Sequence, residues 1–307
     1  MRHGEMDLVL VAPPTVDEKG FEHFIRQFGR EAWAECHRIC IDLGNVTFID
    51  PYGMVGILEF GHYLKSLGKE ITLSLPRMEE VSKYLERMDF FRFHETVFPL
   101  DPLHLEFSEK YHRSTSSDVL LEITRIEKSD DIDFIVDRVR DRAGSILETH
   151  LHYDERAIHY FIVSLSEVCQ NILEHSLSMG YVGIQKYFYA KSLAKNVVKI
   201  AVMDLGIGIK NSLSPRFSAV WGEKWTDLLA IENALLHGAS RYDDIGRGHG
   251  LTEVRKFVQK WNGKISIRSG TAKFSLLPSW EKGSRKGSGI SFFPGTQISL
   301  VLPEMSG

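Results

Sequence analysis

At 307 residues the chain has room for two domains of ordinary size. With 43% hydrophobic and 25% charged residues it has the balance of a globular protein, which argues against long disorder. A formal net charge of −4 argues against a whole-surface attraction to nucleic acid.

The three cysteines, Cys36, Cys40 and Cys169, give neither a disulfide framework nor a paired metal motif. A reducing cytosol is the simplest setting, so a cytoplasmic location is expected. The apolar run within MRHGEMDLVLVAPP is too short for a signal peptide. No stretch reaches the roughly eighteen consecutive apolar residues of a membrane span, so no membrane association is expected. The densest basic run, Lys282 to Lys286, is Gly/Ser-rich and reads as a solvated loop.

Residues 7 to 100 alternate strands with helices. Leu8 to Ala12 is a strand closed by Pro13 and Pro14, and Phe21 to Trp33 has helical spacing at Phe21, Phe24, Ile25 and Phe28. RICIDLG is a strand running into a Gly turn. Val46 to Asp50 is a strand stopped by Pro51, which suits the first turn of a helix continuing to about Leu67. ITLSL, a helix from Glu79 to Met88 and an apolar FFRF complete a sheet covered by helices.

Within this part, Ile39 to Leu58, ICIDLGNVTFIDPYGMVGIL, resembles the STAS domain, the fold of bacterial anti-sigma-factor antagonists. In that family a strand ends in Asp-Ser-Ser/Thr-Gly-Leu, and the first Ser opens a helix and is the phosphorylation site. The matching positions are Asp50, Pro51, Tyr52, Gly53 and Met54. Pro51 has no hydroxyl, so phosphorylation at the acceptor position is chemically impossible. Taken without the resemblance, Asp50 caps the following helix.

Asp101 to Ser117, with Pro102 and the cluster STSS, is the domain boundary. The expected division is 1–104, a linker at 105–117, and 118–307. After it, VLLEITRI is a strand, and Ile132 to Leu147 a helix with Ile132, Ile135, Val136, Val139 and Ala143 on one side. Asp154 opens the central helix, whose stretch Phe161 to Ser176, FIVSLSEVCQNILEHS, carries an apolar stripe at Phe161, Leu165, Val168 and Ile172. Glu167, Asn171 and His175 stand four apart, each about 40° beyond the last, and so share a face. A helix this apolar is expected to be buried, and its acid and amide then require partners. The partners are either other protein groups or a ligand, the acid activating a nucleophile and the amide oxygen meeting a metal ion.

YVGIQKYFYA and VVKIAVMDLG form a hairpin turning near Lys191 to Asn196. Lys210 to Ile245 has the length of a mobile lid and one helical segment, Asp227 to Leu236. Leu251 to Trp261 is a helix, and KISIRS, AKFSLL and TQISLVLP are the closing strands. Roughly three helices against five or six strands make an α/β sandwich. Two glycine clusters punctuate it. Asp204 ends a strand ahead of Gly206 and Gly208, which let a backbone come close to a ligand. Gly246, Gly248 and Gly250 precede a helix, where backbone N–H groups suit an anion such as phosphate.

The order of these segments, with Gly295-Thr296 entering the last strand, resembles the GHKL (Bergerat) nucleotide-binding fold. That superfamily includes gyrase-type ATPases, histidine kinases and the serine kinases that act as anti-sigma factors. LSEVCQNILEHS is nearest in pattern to the last group. The resemblance implies ATP and Mg²⁺ as ligands. Asn171 would hold Mg²⁺ and Asp204 would receive the adenine amino group. Gly206 and Gly208 would pass close to the base, with Thr296 near it. Gly246, Gly248 and Gly250 would cradle phosphates, and His175 would support the site. Glu167 would be the general base. A histidine kinase is disfavoured, because it needs a phosphoacceptor His on a dimerisation helix just before the ATPase half, whereas His150, His152 and His159 fall within the ATPase half's own helices, and no receiver-like or transmembrane segment is present. Two functions remain: a serine/threonine protein kinase acting on a separate STAS-type protein, or an ATP-gated module binding a regulatory partner such as a sigma factor. A homodimer through the ATPase sheet is implied by the resemblance alone.

Overall fold

The computed structural model describes residues 7–28, 36–93, 97–98, 119–176, 178–240 and 250–305. The chain divides into two compact units, 1–117 and 118–307. The passage expected to be the linker lies outside the described residues.

In the first unit, β1 (Asp7–Val11), β3 (Arg38–Asp42) and β5 (Glu70–Ser74) form a parallel sheet in the order β1-β3-β5. Two short strands, β2 (Thr15–Val16) and β4 (Phe48–Ile49), pair in parallel beside it. The strand expected at Val46 to Asp50 is thus only two residues of ladder. Helix α1 (Glu18–Phe28) starts earlier than its apolar spacing suggests, because the Asp17 carboxylate accepts the N–H groups of Lys19 and Gly20, each at 2.9 Å. Helix α2 (Pro51–Ser66) has Pro51 in its first turn, and the Asp50 carboxylate accepts the Gly53 N–H at 2.9 Å. Phe60 of α2 meets Phe24 of α1 edge to face, centroids 5.2 Å apart. Helix α3 (Glu79–Arg87) follows β5.

In the second unit five antiparallel strands run in the order β6-β7-β8-β10-β9: β6 (Val119–Ile126), β7 (Gly180–Tyr189), β8 (Lys195–Asp204), β9 (Lys264–Leu276) and β10 (Lys286–Pro303). Val198, Ile200 and Val202 alternate along β8 and enter one core with Ile265 and Ile267 of β9 and Leu300 and Leu302 of β10. Helices α4 (Ser129–Ala143) and α5 (Glu155–Asn171) close that core with Ile135, Val139, Phe161, Leu165 and Val168. Asp154 caps α5 by accepting the Ala157 N–H at 2.7 Å. None of the described helices is long and apolar enough to cross a membrane.

Several expectations need correction. The passage Lys210 to Ile245, read as a lid with one helix, contains two: α6 (Gly208–Trp221) and α7 (Asp227–His237). Pro215 and the Ser/Asn content hide α6 from a propensity reading. Tertiary contacts hold it: Leu213 packs with Trp225, Ala230 and Ala234, Phe217 stacks on Trp225, and the Trp225 indole N–H donates to Ser214 Oγ at 2.9 Å. KISIRS and AKFSLL are one strand, β9, which continues through Gly270 at φ +61°. The basic run is not wholly a loop, since Lys286 opens β10 and its ammonium lies 2.6 Å from the Glu232 carboxylate. His152 is not helical; it takes a left-handed conformation, φ 56°, between a short turn of helix and α5.

Candidate functional site

A cavity of about 430 Å³ opens among α5, the end of β8, the middle of β10, α6, and the start of α8 (Gly250–Lys260). Six of the residues singled out from the sequence line it: Glu167, Asn171, Asp204, Gly208, Gly250 and Thr296. They come from four separate stretches of chain, and the sheet order brings them together by placing β10 beside β8. Gly206 sits in the turn beneath, its N–H donating to Asp204 Oδ1 at 2.8 Å. Gly246 and Gly248 lie outside the described residues.

The central helix departs from the single regular helix expected. It is α-helical to Asn171, and Ile172–Ser176 is a π turn. A π turn holds an extra residue, so the four-residue step that aligns Glu167 with Asn171 does not carry on to His175. The His175 side chain is outside what the structure describes. The π turn is seated on the Asp204 loop: the Ser176 carbonyl accepts the Ile207 N–H at 3.0 Å, and Ser176 Oγ donates to the Ile172 carbonyl at 2.6 Å.

The expected burial of the acid and amide also needs correction. Glu167 is exposed and Asn171 half-buried, because both face the cavity rather than the core. Asn171 Nδ2 donates to the Glu167 carbonyl at 2.7 Å. Its Oδ1 has no hydrogen bond among the described residues, so an oxygen is presented for a ligand. Partial burial, and then the negative charge of Glu174, raise the Glu167 carboxyl above its usual range. A Cβ on Gly250 would lie 2.5 Å from Glu167 Oε2, so glycine lets the start of α8 close on the acid.

Asp204 is 5% exposed. Burial pushes its carboxyl up to about 7, against the backbone N–H groups of Gly206 and Thr296, which donate to the charged form. A buried anion held by two N–H groups is a strong acceptor for a third donor.

Ser269, on β9, is a residue that the sequence pattern does not flag. Its Oγ donates to the Gly295 carbonyl at 2.8 Å and accepts the Ile209 N–H at 3.0 Å, tying the start of α6 to the middle of β10, which begins well before the Gly295-Thr296 entry expected from the sequence. Nothing local marks this serine, since the bond crosses sixty positions. Gly295 itself has φ +73°, and a Cβ there would meet the Asp204 carbonyl oxygen at 1.9 Å. Gly295→Ala is therefore expected to cost about 2 kcal/mol or more. Thermal denaturation should show a melting point lower by roughly 5 °C or more; an unchanged melting point would contradict the close approach.

Residues 161–305 match the family model described as histidine kinase-, DNA gyrase B-, and HSP90-like ATPase. The second unit carries a GHKL-type ATPase domain. The match begins within α5 and contains every residue of the cavity. No curated protein matches the chain.

Proposed function

We propose that the protein is a Mg-ATP-binding regulator whose ATPase domain transfers phosphate to a serine or threonine of a separate regulatory protein, in the manner of the anti-sigma-factor kinases. The observation that carries this reading is the placing of Glu167, Asn171 and Asp204 around one cavity. The donor set fits the ligands. Asp204 is a buried acceptor for the adenine amino group, with Gly206, Gly208 and Thr296 beside the base. Asn171 offers one hard oxygen to Mg²⁺. Among the described residues no group of three or more His, Cys, Asp or Glu could hold a metal. Mg²⁺ bound here would take its remaining ligands from phosphate and water. Gly250, together with Gly246 and Gly248, would cradle the phosphates. Glu167, exposed to the cavity with its carboxyl raised, is suited to take the proton of an acceptor hydroxyl.

The first unit is read as STAS-like, with Pro51 in the acceptor position. A phosphate acceptor at that place would belong to another chain, of STAS type or a sigma factor. A second reading, an ATP-gated binding module, is favoured by the approach of Gly250 to Glu167. The start of α8 can then report the occupancy of the cavity to a partner. Labelled ATP with and without STAS-type proteins separates the two: phosphoprotein supports the kinase, and partner affinity that follows nucleotide without transfer supports the module. Asn171→Ala should weaken ATP binding in Mg²⁺ by about ten-fold, equivalent to 1.4 kcal/mol. Titration calorimetry with Mg²⁺ and with EDTA checks this. A loss of equal size in EDTA would remove Asn171 from the metal site.

A further inference from the structure

Helix α5 leaves the cavity alongside α8, and the two run antiparallel. At one end Gly250 approaches Glu167. Two turns away Tyr160 stacks on Phe257, with centroids 6.4 Å apart at 29°. That separation is about 10 Å along the helix axis. On α5 the residues Glu167, Val163, Tyr160 and Arg156 follow steps of three or four and share a face.

This face is polarised. At the cavity mouth stand Glu167, Glu174 and Glu253. In the middle, Val163 and Tyr160 are 40% and 39% exposed. At the far end two cations gather on one ring: the Arg156 guanidinium lies 5.7 Å from the Tyr160 centroid and the Lys260 ammonium 5.8 Å from it. Lys260 is also 5.3 Å from the Trp261 ring. Arg156 hydrogen-bonds Tyr160 and feels the charge of Asp154 without forming a close ion pair with it, whereas Lys256, one turn back on α8, is paired with Glu253 at 2.6 Å. An aromatic platform that holds two cations in place has already lost part of the side-chain entropy that weakens surface charges as binding groups.

We propose that this strip is the docking track for the phosphate-accepting segment of the partner protein. The segment is an extended stretch with an acidic side chain about five residues from the acceptor hydroxyl. The spacing follows from the track: Arg156 stands eleven residues before Glu167 and Lys260 ten beyond Gly250, about 15 Å along the axis, and an extended chain rises about 3.3 Å per residue. The acid meets Arg156 and Lys260, the intervening side chains lie on Tyr160 and Val163, and the hydroxyl reaches Glu167. In the transfer itself the hydroxyl oxygen bonds to the terminal phosphorus of ATP as the bond to ADP breaks, and the hydroxyl proton passes to the Glu167 carboxylate. The inference rests on the kinase reading above for its reaction, but its recognition element is separate.

The test uses the full-length protein and two fluorescent serine peptides that differ in one residue, aspartate or lysine, five positions from the serine. Anisotropy at low salt should show the aspartate peptide binding about ten-fold more tightly, with the preference fading as salt rises. Arg156→Glu with Lys260→Glu should reverse the preference while basal ATP hydrolysis stays unchanged. Arg156→Gln with Lys260→Gln, a milder pair, should abolish it and covers a failure of the first pair to fold. Equal binding of the two peptides to wild type, or a preference that both variants keep, overturns the docking track whatever the enzyme does. A preference that responds to both variants, in a protein that transfers no phosphate, keeps the track and overturns the kinase reading alone.

Discussion

Glu167→Gln is expected to lower phosphate transfer or ATP hydrolysis by about 10²–10⁴-fold while leaving Mg-ATP affinity close to wild type. The carboxyl faces the cavity rather than the core, so glutamine should fold in its place. It retains the shape and loses the proton acceptor. Burial and Glu174 both raise this carboxyl, which makes it a better base than an unperturbed glutamate once it is ionised. Glu174→Gln should therefore lower the acidic limb of the pH–rate profile, because removing the neighbouring charge lets Glu167 ionise at lower pH. Single-turnover kinetics together with titration calorimetry read both effects. A Glu167→Gln protein that turns over like wild type would end the general-base assignment. One that binds no nucleotide would place Glu167 in binding instead.

Substitution at Asp204 should separate stability from function. Its carboxyl ordinarily titrates near 3.8 and is pushed up to about 7 in the fold. The folded state therefore holds a proton that the unfolded state has lost, between about pH 4 and 7. Stability from this group is fully present below the ordinary value and falls as pH rises through 7. At roughly 1.4 kcal/mol per unit, a few kcal/mol are involved. Asp204→Asn removes the buried charge, so the free protein should melt higher than wild type at pH 8, with a smaller gain at pH 5 and little difference below pH 4. The same change should lower ATP affinity by about ten-fold or more, because the acceptor for the base's amino group becomes neutral. In wild type, ATP binding at pH 6 should release protons, which calorimetry in buffers of different ionisation enthalpy detects. If the Asn variant binds ATP as well as wild type does, Asp204 does not receive the base. If its melting point shows no gain at pH 8, the buried charge costs less than its surroundings imply.

Much of the second unit is legible in the chain because it rests on local periodicity. Alternation marks β7, β8 and the last half of β10. The spacing of Phe161, Leu165, Val168 and Ile172 marks α5. The Asp-x-Gly-x-Gly turn and Gly295-Thr296 mark places where backbone must pass near something. Each of these depends on a few neighbouring residues, and so can be read in one dimension. In the first unit the same holds for α2, where Pro51 and Asp50 state the helix start by their own chemistry.

What only the tertiary structure decided involves distant partners. Helix α6 exists despite Pro215 because Trp225 and Ala234, residues further along, pack on Leu213. The turn at Ile172–Ser176 is π rather than α and sits against the Asp204 loop, where Ser176 receives Ile207. Glu167 and Asn171 lie on a helix apolar enough to be buried, yet they face a cavity. No neighbour in sequence says so, because the cavity is bounded by the end of β8, the middle of β10, and α6 and α8. The raised carboxyl of Asp204 and the gathering of Arg156 and Lys260 on one ring likewise follow from which surfaces meet. Local sequence determines which way a side chain points along its own element; what that side chain then meets is set by contacts between elements, which no local pattern encodes.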